Sequence, residues 1–152
     1  MKRASLAFLL AFIPLVTPAS AKLGPEAKRA FDQAFELCQR GKFPAGLGQY
    51  EKAIELAPEF RDLWTEYTVC LRKAGRLQRA ARAGWRTLEL GPPTAGMWAN
   101  LGNVFLQGQE WNATQAAFRQ AENLSTEKRW AVQNYLNLGY RQWTNGRADL
   151  AT

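Results

Sequence analysis

The sequence holds no histidine and two cysteines, Cys38 and Cys70. Imidazole acid–base catalysis and histidine-ligated metals are therefore excluded, and two thiols are too few for a cysteine-only zinc site. Past residue 21 there is one serine, Ser125, placed where helix capping is the simpler role. Glu51 and Glu55 share a helix face at i, i+4, but their neighbours are surface residues. No phosphate loop and no metal-ligand spacing occurs. Without a nucleophile–base pair the expectation is a chain with no catalytic residue, no cofactor and no metal. Binding chemistry is better represented. Arg72, Lys73, Arg76, Arg79, Arg82 and Arg86 fall within 15 residues, and no acid lies among them. One reading is an anionic partner: an acidic protein, phospholipid head groups or an acidic polysaccharide. The other is an ordinary solvated helix face. Nucleic acid is not expected, because basic and aromatic residues are not interleaved.

The elements that position these residues begin after a leader. Met1, Lys2 and Arg3 make a basic start, residues 6–16 are an apolar run, and Ala19, Ser20 and Ala21 supply small residues for cleavage. The apolar run of 11 residues is too short for a bilayer core of about 30 Å. Residues 1–21 are thus predicted to be a bacterial signal peptide, and the chain from Lys22 to be exported, periplasmic or secreted. The full chain carries 20 basic and 13 acidic residues. Without Lys2 and Arg3 the balance is 18 against 13, a net charge of +5. That charge favours anionic partners and leaves a membrane surface open as a contact, though not an integral membrane position.

From Lys22 onward the sequence repeats at an interval of 34 residues. Leu37, Leu71 and Phe105 align, as do Ala34, Thr68 and Gly102, and Gly46, Ala80 and Thr114. Pro58 falls on Pro92, Trp64 on Trp98 and Gly41 on Gly75. Glycine and proline punctuate this pattern into pairs of helices. Gly24-Pro25 opens a first helix, Gly41 closes it, and Ala57-Pro58 ends the second. Gly75 closes the third, Gly91-Pro92-Pro93 breaks after the fourth, and Thr94 caps the fifth. Each helix should be roughly 12–15 residues, long enough to bury one face and marginal alone. Gly102 interrupts an otherwise amphipathic helix at a cost of about 1 kcal/mol against alanine. The expectation is that it faces the small position of the next helix, Thr114, so that the two backbones approach closely while Phe105 and Phe118 interlock.

Trp98, Leu101, Gly102 and Phe105, followed by Phe118 and Ala121, resemble the tetratricopeptide repeat pattern. Repeats are placed at about residues 27–60, 61–94 and 95–128, with a partial repeat at 132–152. The sequence departs from the pattern at Gly84, where repeat one has Tyr50 and repeat three has Phe118; Trp85 follows it. Gln109 stands where the turn glycine is expected. The resemblance implies an all-α, right-handed α-solenoid of antiparallel helix pairs over residues 22–152. It also implies a concave groove, lined by the first helix of each pair, that takes a peptide or a partner helix.

On that frame the groove residues are Phe35, Arg72, Asn100, Asn103, Asn137 and Tyr140. An asparagine amide both donates and accepts, so Asn103 and Asn137 are suited to a peptide backbone. The pair resembles part of the family's carboxylate clamp, with Ala99 where that clamp has lysine. Phe31 and Phe35 either anchor a ligand or pack beneath Leu23. Cys38 and Cys70 lie on the first helices of adjacent repeats, two residues out of register; a disulfide and two buried thiols both fit. The helix expected from about residue 126 to 144 is apolar nearly all round, which suggests continuation of the array, a partner or self-association. The function expected is a non-catalytic scaffold or adaptor of the bacterial envelope. The alternative is the docking arm of a larger exported enzyme whose catalytic domain follows residue 152.

Overall fold

The computed structural model describes residues 22–125. They form six α-helices: α1 Pro25–Gln39, α2 Phe43–Leu56, α3 Arg61–Lys73, α4 Leu77–Glu89, α5 Ala95–Gln107 and α6 Trp111–Leu124. No strand occurs among the described residues. α1 packs on α2, α3 on α4 and α5 on α6, and α2 and α4 link one pair to the next. The first helices also touch in sequence, α1 with α3 and α3 with α5, so one face is built from α1, α3 and α5. This is an α-helical repeat solenoid.

The local signals work as their chemistry requires. Pro25 sits in the first turn of α1 and Pro44 in that of α2, where a missing N–H costs no helical bond. The Thr94 side chain accepts a hydrogen bond from the Met97 N–H at 3.4 Å and caps α5. The turn inside each pair is the same device three times. Lys42 N–H bonds to Leu37 O, Arg76 N–H to Leu71 O and Glu110 N–H to Phe105 O, at 2.9, 2.8 and 2.9 Å. Each bond closes over a residue in the left-handed region: Gly41 at φ 74°, Gly75 at 73° and Gln109 at 60°. Gln109 itself therefore adopts the strained conformation, and Gly108 remains helical at φ −80°. The second helices start at Phe43, Leu77 and Trp111, an interval of 34 residues each time.

Packing answers the question raised by Gly102, and corrects part of the expectation. What fills the space beside Gly102 is the ring of Phe118: a Cβ there would lie 2.5 Å from Phe118 Cδ1, a separation real atoms do not reach. Phe118 is itself only 1% exposed and has no room to withdraw. The small residue of α5 thus receives the large residue of α6. In the second pair the sizes are exchanged. Gly84 faces the Thr68 methyl, 3.5 Å from an added Cβ, and Leu101 Cδ1 comes within 3.0 Å of that point. The Leu101 side chain of α5 fills the space that Tyr50 and Phe118 fill in their own repeats. Trp85 does not supply the missing aromatic. It is 47% exposed and meets Trp98 edge-on at 5.7 Å. One apolar core runs through α1 to α4 and reaches Val104, while Leu101 and Phe105, and Leu106 and Phe118, form smaller clusters in the third pair.

Cys38 and Cys70 are joined in a disulfide with Cα atoms 5.8 Å apart, inside the usual range. The bond ties α1 to α3, not the two helices of one pair. Gly46 on α2 accommodates it: an added Cβ would lie 2.5 Å from Cys38 Sγ and 3.1 Å from the Cys38 backbone nitrogen.

Candidate functional site: the first-helix face

The face shared by α1 and α3 carries two adjoining hollows, of about 560 and 420 Å³, which share Phe31, Asp32 and Glu66. Helical spacing puts Phe31, Asp32, Phe35 and Glu36 along α1 toward this face, and Asp62, Thr65 and Glu66 line it from α3. The two phenylalanines part company. Phe31 is half-buried, packs edge-on against Tyr50 at 6.0 Å and joins the core together with Leu23. Phe35 is 42% exposed at the wall of the second hollow.

The electrostatics of this region are set by four carboxylates. Asp32 accepts from Lys28 at 2.6 Å and Glu36 pairs with Arg40 at 3.4 Å, both as solvent-exposed i, i+4 contacts. Asp62 and Glu66 make no ion pair with a described residue. Burial pushes the Glu66 carboxyl above the usual carboxylate range; Lys73 opposes the rise and Asp62 adds to it. Burial, and then the charge of Glu66, push the Tyr50 hydroxyl well up in turn. None of these acids was singled out in the sequence, although a signal was present. A shift of 34 lays Asp32 on Glu66 and Glu66 on Asn100, so one repeat position stays polar along the face.

The expected groove residues are distributed as follows. Phe35 opens onto the hollows. Asn100 and Asn103 lie half-buried on α5. Arg72 is half-buried near the end of α3, where burial lowers the pKa of its guanidinium, and its backbone oxygen accepts from Gln107 Nε2 at 3.3 Å. Ala99 and Leu106, which flank Asn103 on α5, are buried. Cys38, near the end of α1, is occupied by the disulfide. Asn137 and Tyr140 lie outside the described residues, as do the partial fourth repeat and the leader.

The basic run divides along α3 and α4. Arg79 pairs with Glu51, and also donates to Tyr67 Oη, which itself donates to Glu51 Oε1 at 2.9 Å. Arg86 pairs with Glu59 at 3.1 Å and Glu89 at 3.2 Å. Lys73, Arg76 and Arg82 are exposed and make no ion pair with a described residue. Two of the six cations are thus already matched by acids of α2, α4 and the loop before α3. Glu51 and Glu55, considered above as a carboxylate pair, are both exposed on α2, with Glu51 committed to Tyr67 and Arg79.

No protein-family model and no curated protein matches the sequence. Solved structures share the fold. The chain is similar to the TPR2B domain in the TPR2B-domain–pHsp70 complex of yeast Sti1, at 16% identity over 78% of this chain and 99% of that one, with a TM-score of 0.69. It is similar to the Sgt2 TPR domain from Aspergillus fumigatus, at 16% identity over 88% of this chain and 87% of that one, TM-score 0.67. It also resembles YrrB, a TPR protein with an unusual peptide-binding site, at 17% identity, covering 82% of this chain and 63% of that one, TM-score 0.63. The fold is the tetratricopeptide-repeat fold.

Proposed function

We propose that this chain is a non-catalytic interaction scaffold of the bacterial envelope that holds a protein partner along the face of α1, α3 and α5. The observation that carries the reading is Phe35. A large apolar side chain stands 42% exposed at the wall of the second of two adjoining hollows, on the face a solenoid leaves uncovered by its second helices. The neighbours support the use of such a face for partners, since one is a complex with pHsp70 and another is described by its peptide-binding site. Asn100 and Asn103 extend the face with groups able to bond a peptide backbone. Export is part of the proposal: residues 1–21 have the pattern of a cleaved leader, and a disulfide suits an oxidising compartment.

Site-specific photocrosslinking in an envelope extract tests the face. A crosslinker at Phe35 or Asn103 should capture a partner that one at Trp85, on α4, does not. Capture from Trp85 alone would remove the reading. The mass of the protein recovered from the periplasm tests export, the expected species beginning at Lys22; a cytoplasmic product retaining Met1 would remove that part.

A further inference from the structure

The groove between α1 and α3 has a charge opposite to that of the chain. The protein carries a formal net charge of +7, yet the shared hollows gather Asp32, Glu36, Asp62 and Glu66 around Phe31 and Phe35. We propose that this groove recognises a partner segment in which a lysine or arginine stands beside an apolar residue, the cation set between Asp62 and Glu66 and the apolar side chain against Phe35. The proposal rests on the reading of this face as the partner-binding face and specifies what it selects.

Three observations carry it. Asp62 and Glu66 are one helical turn apart, and neither makes an ion pair with a described residue. Half-burial of Glu66 disfavours its charge, an imbalance that a docked cation relieves. Asp32 and Glu36 hold Lys28 and Arg40 through solvent-exposed i, i+4 contacts, which contribute little to stability, so an incoming cation can share them. Lys22 and Lys28 also line the larger hollow with Asp62 and Glu66, whereas the second hollow, beside Phe35, is lined by Asp32, Glu36 and Glu66 and by no described cation. The aromatic faces add a favourable contact for a cation as well as apolar area. An acidic segment entering here would meet four carboxylates, and like charges set against each other reject a partner.

The test is selection of random dodecapeptides displayed on phage against the full, oxidised protein, followed by titration of the selected peptides. Recovered sequences should be enriched in lysine or arginine next to an aromatic or aliphatic residue. Their binding should weaken about tenfold or more in the double variant Asp62→Asn, Glu66→Gln, and weaken with added salt. Circular dichroism identifies any variant that has lost its helices, and the single variant Glu66→Gln, which removes a half-buried charge and keeps the shape, supplies a second measure. Phe35→Ala separates the two levels of the argument. Peptides that depend on Phe35 but show no basic enrichment, or an acidic one, overturn the cation proposal and leave the groove reading standing. Peptides indifferent to Phe35 and to both acids overturn both. Selected sequences that match this chain, or a dimer that Phe35→Ala dissociates, assign the groove to the chain itself and also overturn the proposal.

Discussion

At the scale of single residues, the packing rule is that a glycine on one helix receives a large side chain from a helix packed against it, whether of its own pair or of the next. Gly102 lies beneath Phe118 and Gly84 beside Thr68 and Leu101. Gly102→Ala is expected to destabilise the fold by about 1–2 kcal/mol: overpacking costs about 1–3 kcal/mol, and alanine recovers part of it through helix propensity. A shift of the denaturant midpoint measures this, and a midpoint equal to wild type would contradict the packing. Gln109 makes the opposite case. It adopts φ 60° at the place where Gly41 and Gly75 do the same at no steric cost. Gln109→Gly is therefore expected to raise stability by up to about 1 kcal/mol, read by the same titration. That Gly102 marks a tight spot was legible in the sequence, because an interior glycine is unfavourable unless packing uses it. That its neighbour is the Phe118 ring was not. Residue sizes show where room is made, but helix rotation decides which side chain enters it. Gln109 was legible: the 34-residue interval places it at the turn-glycine position although Gly108 is the nearest glycine, and the repeating six-to-one turn bond fixes the left-handed residue there.

At the scale of elements, helix limits followed closely from glycine and proline, since those residues act through the backbone alone. Contacts between helices were harder to foresee. The arginine run looked uniform in sequence, yet Arg79 crosses to Glu51 on α2 and Tyr67 on α3, and Arg86 reaches Glu59. The α1–α3 groove acids were passed over because the repeat was aligned by size and not by charge; Asp32 and Glu66 are equivalent positions all the same. The Tyr67 network gives a prediction for these three helices. Burial, followed by the hydrogen bond to Glu51, pushes the Tyr67 hydroxyl from 10.0 up to about 12. A folded state that keeps its proton while the unfolded chain releases it loses stability as pH rises through that interval, and below pH 10 the effect is absent. Tyr67→Phe removes its share of the loss, so the variant's stability should fall less steeply between pH 10 and about 12, with Tyr50 supplying the remainder. Equal slopes in the two proteins would show that the network does not carry the shift.

At the scale of the whole molecule, a solenoid is held by neighbours only, and its repeats are free to separate at an end. The described part departs from that rule at one place. Cys38 and Cys70 bridge 32 residues of chain, from the first helix of one repeat to the first helix of the next. Closing a loop of that length is worth about 3–4 kcal/mol in the chain-entropy account. Reduction, or Cys38→Ala with Cys70→Ala, should lower stability by about that amount in a denaturant titration with and without reductant. A difference below about 1 kcal/mol would mean that packing alone holds the first two pairs together. The two-residue offset between the cysteines left the bond undecided in sequence, because register along neighbouring helices is set by how α1 and α3 cross.

The staple also determines how the structure yields to force. A pull on the N-terminal end cannot peel α1 and α2 away as a unit, because the load passes through sulfur directly into α3. The covalent shortcut keeps about 110 Å of contour hidden until the bond is cut. Drawn out by its ends, the oxidised protein would therefore keep α2, and α3 as far as Cys70, out of the force path, while the part of α1 ahead of Cys38, which carries Phe31 and Phe35, stays free to unwind.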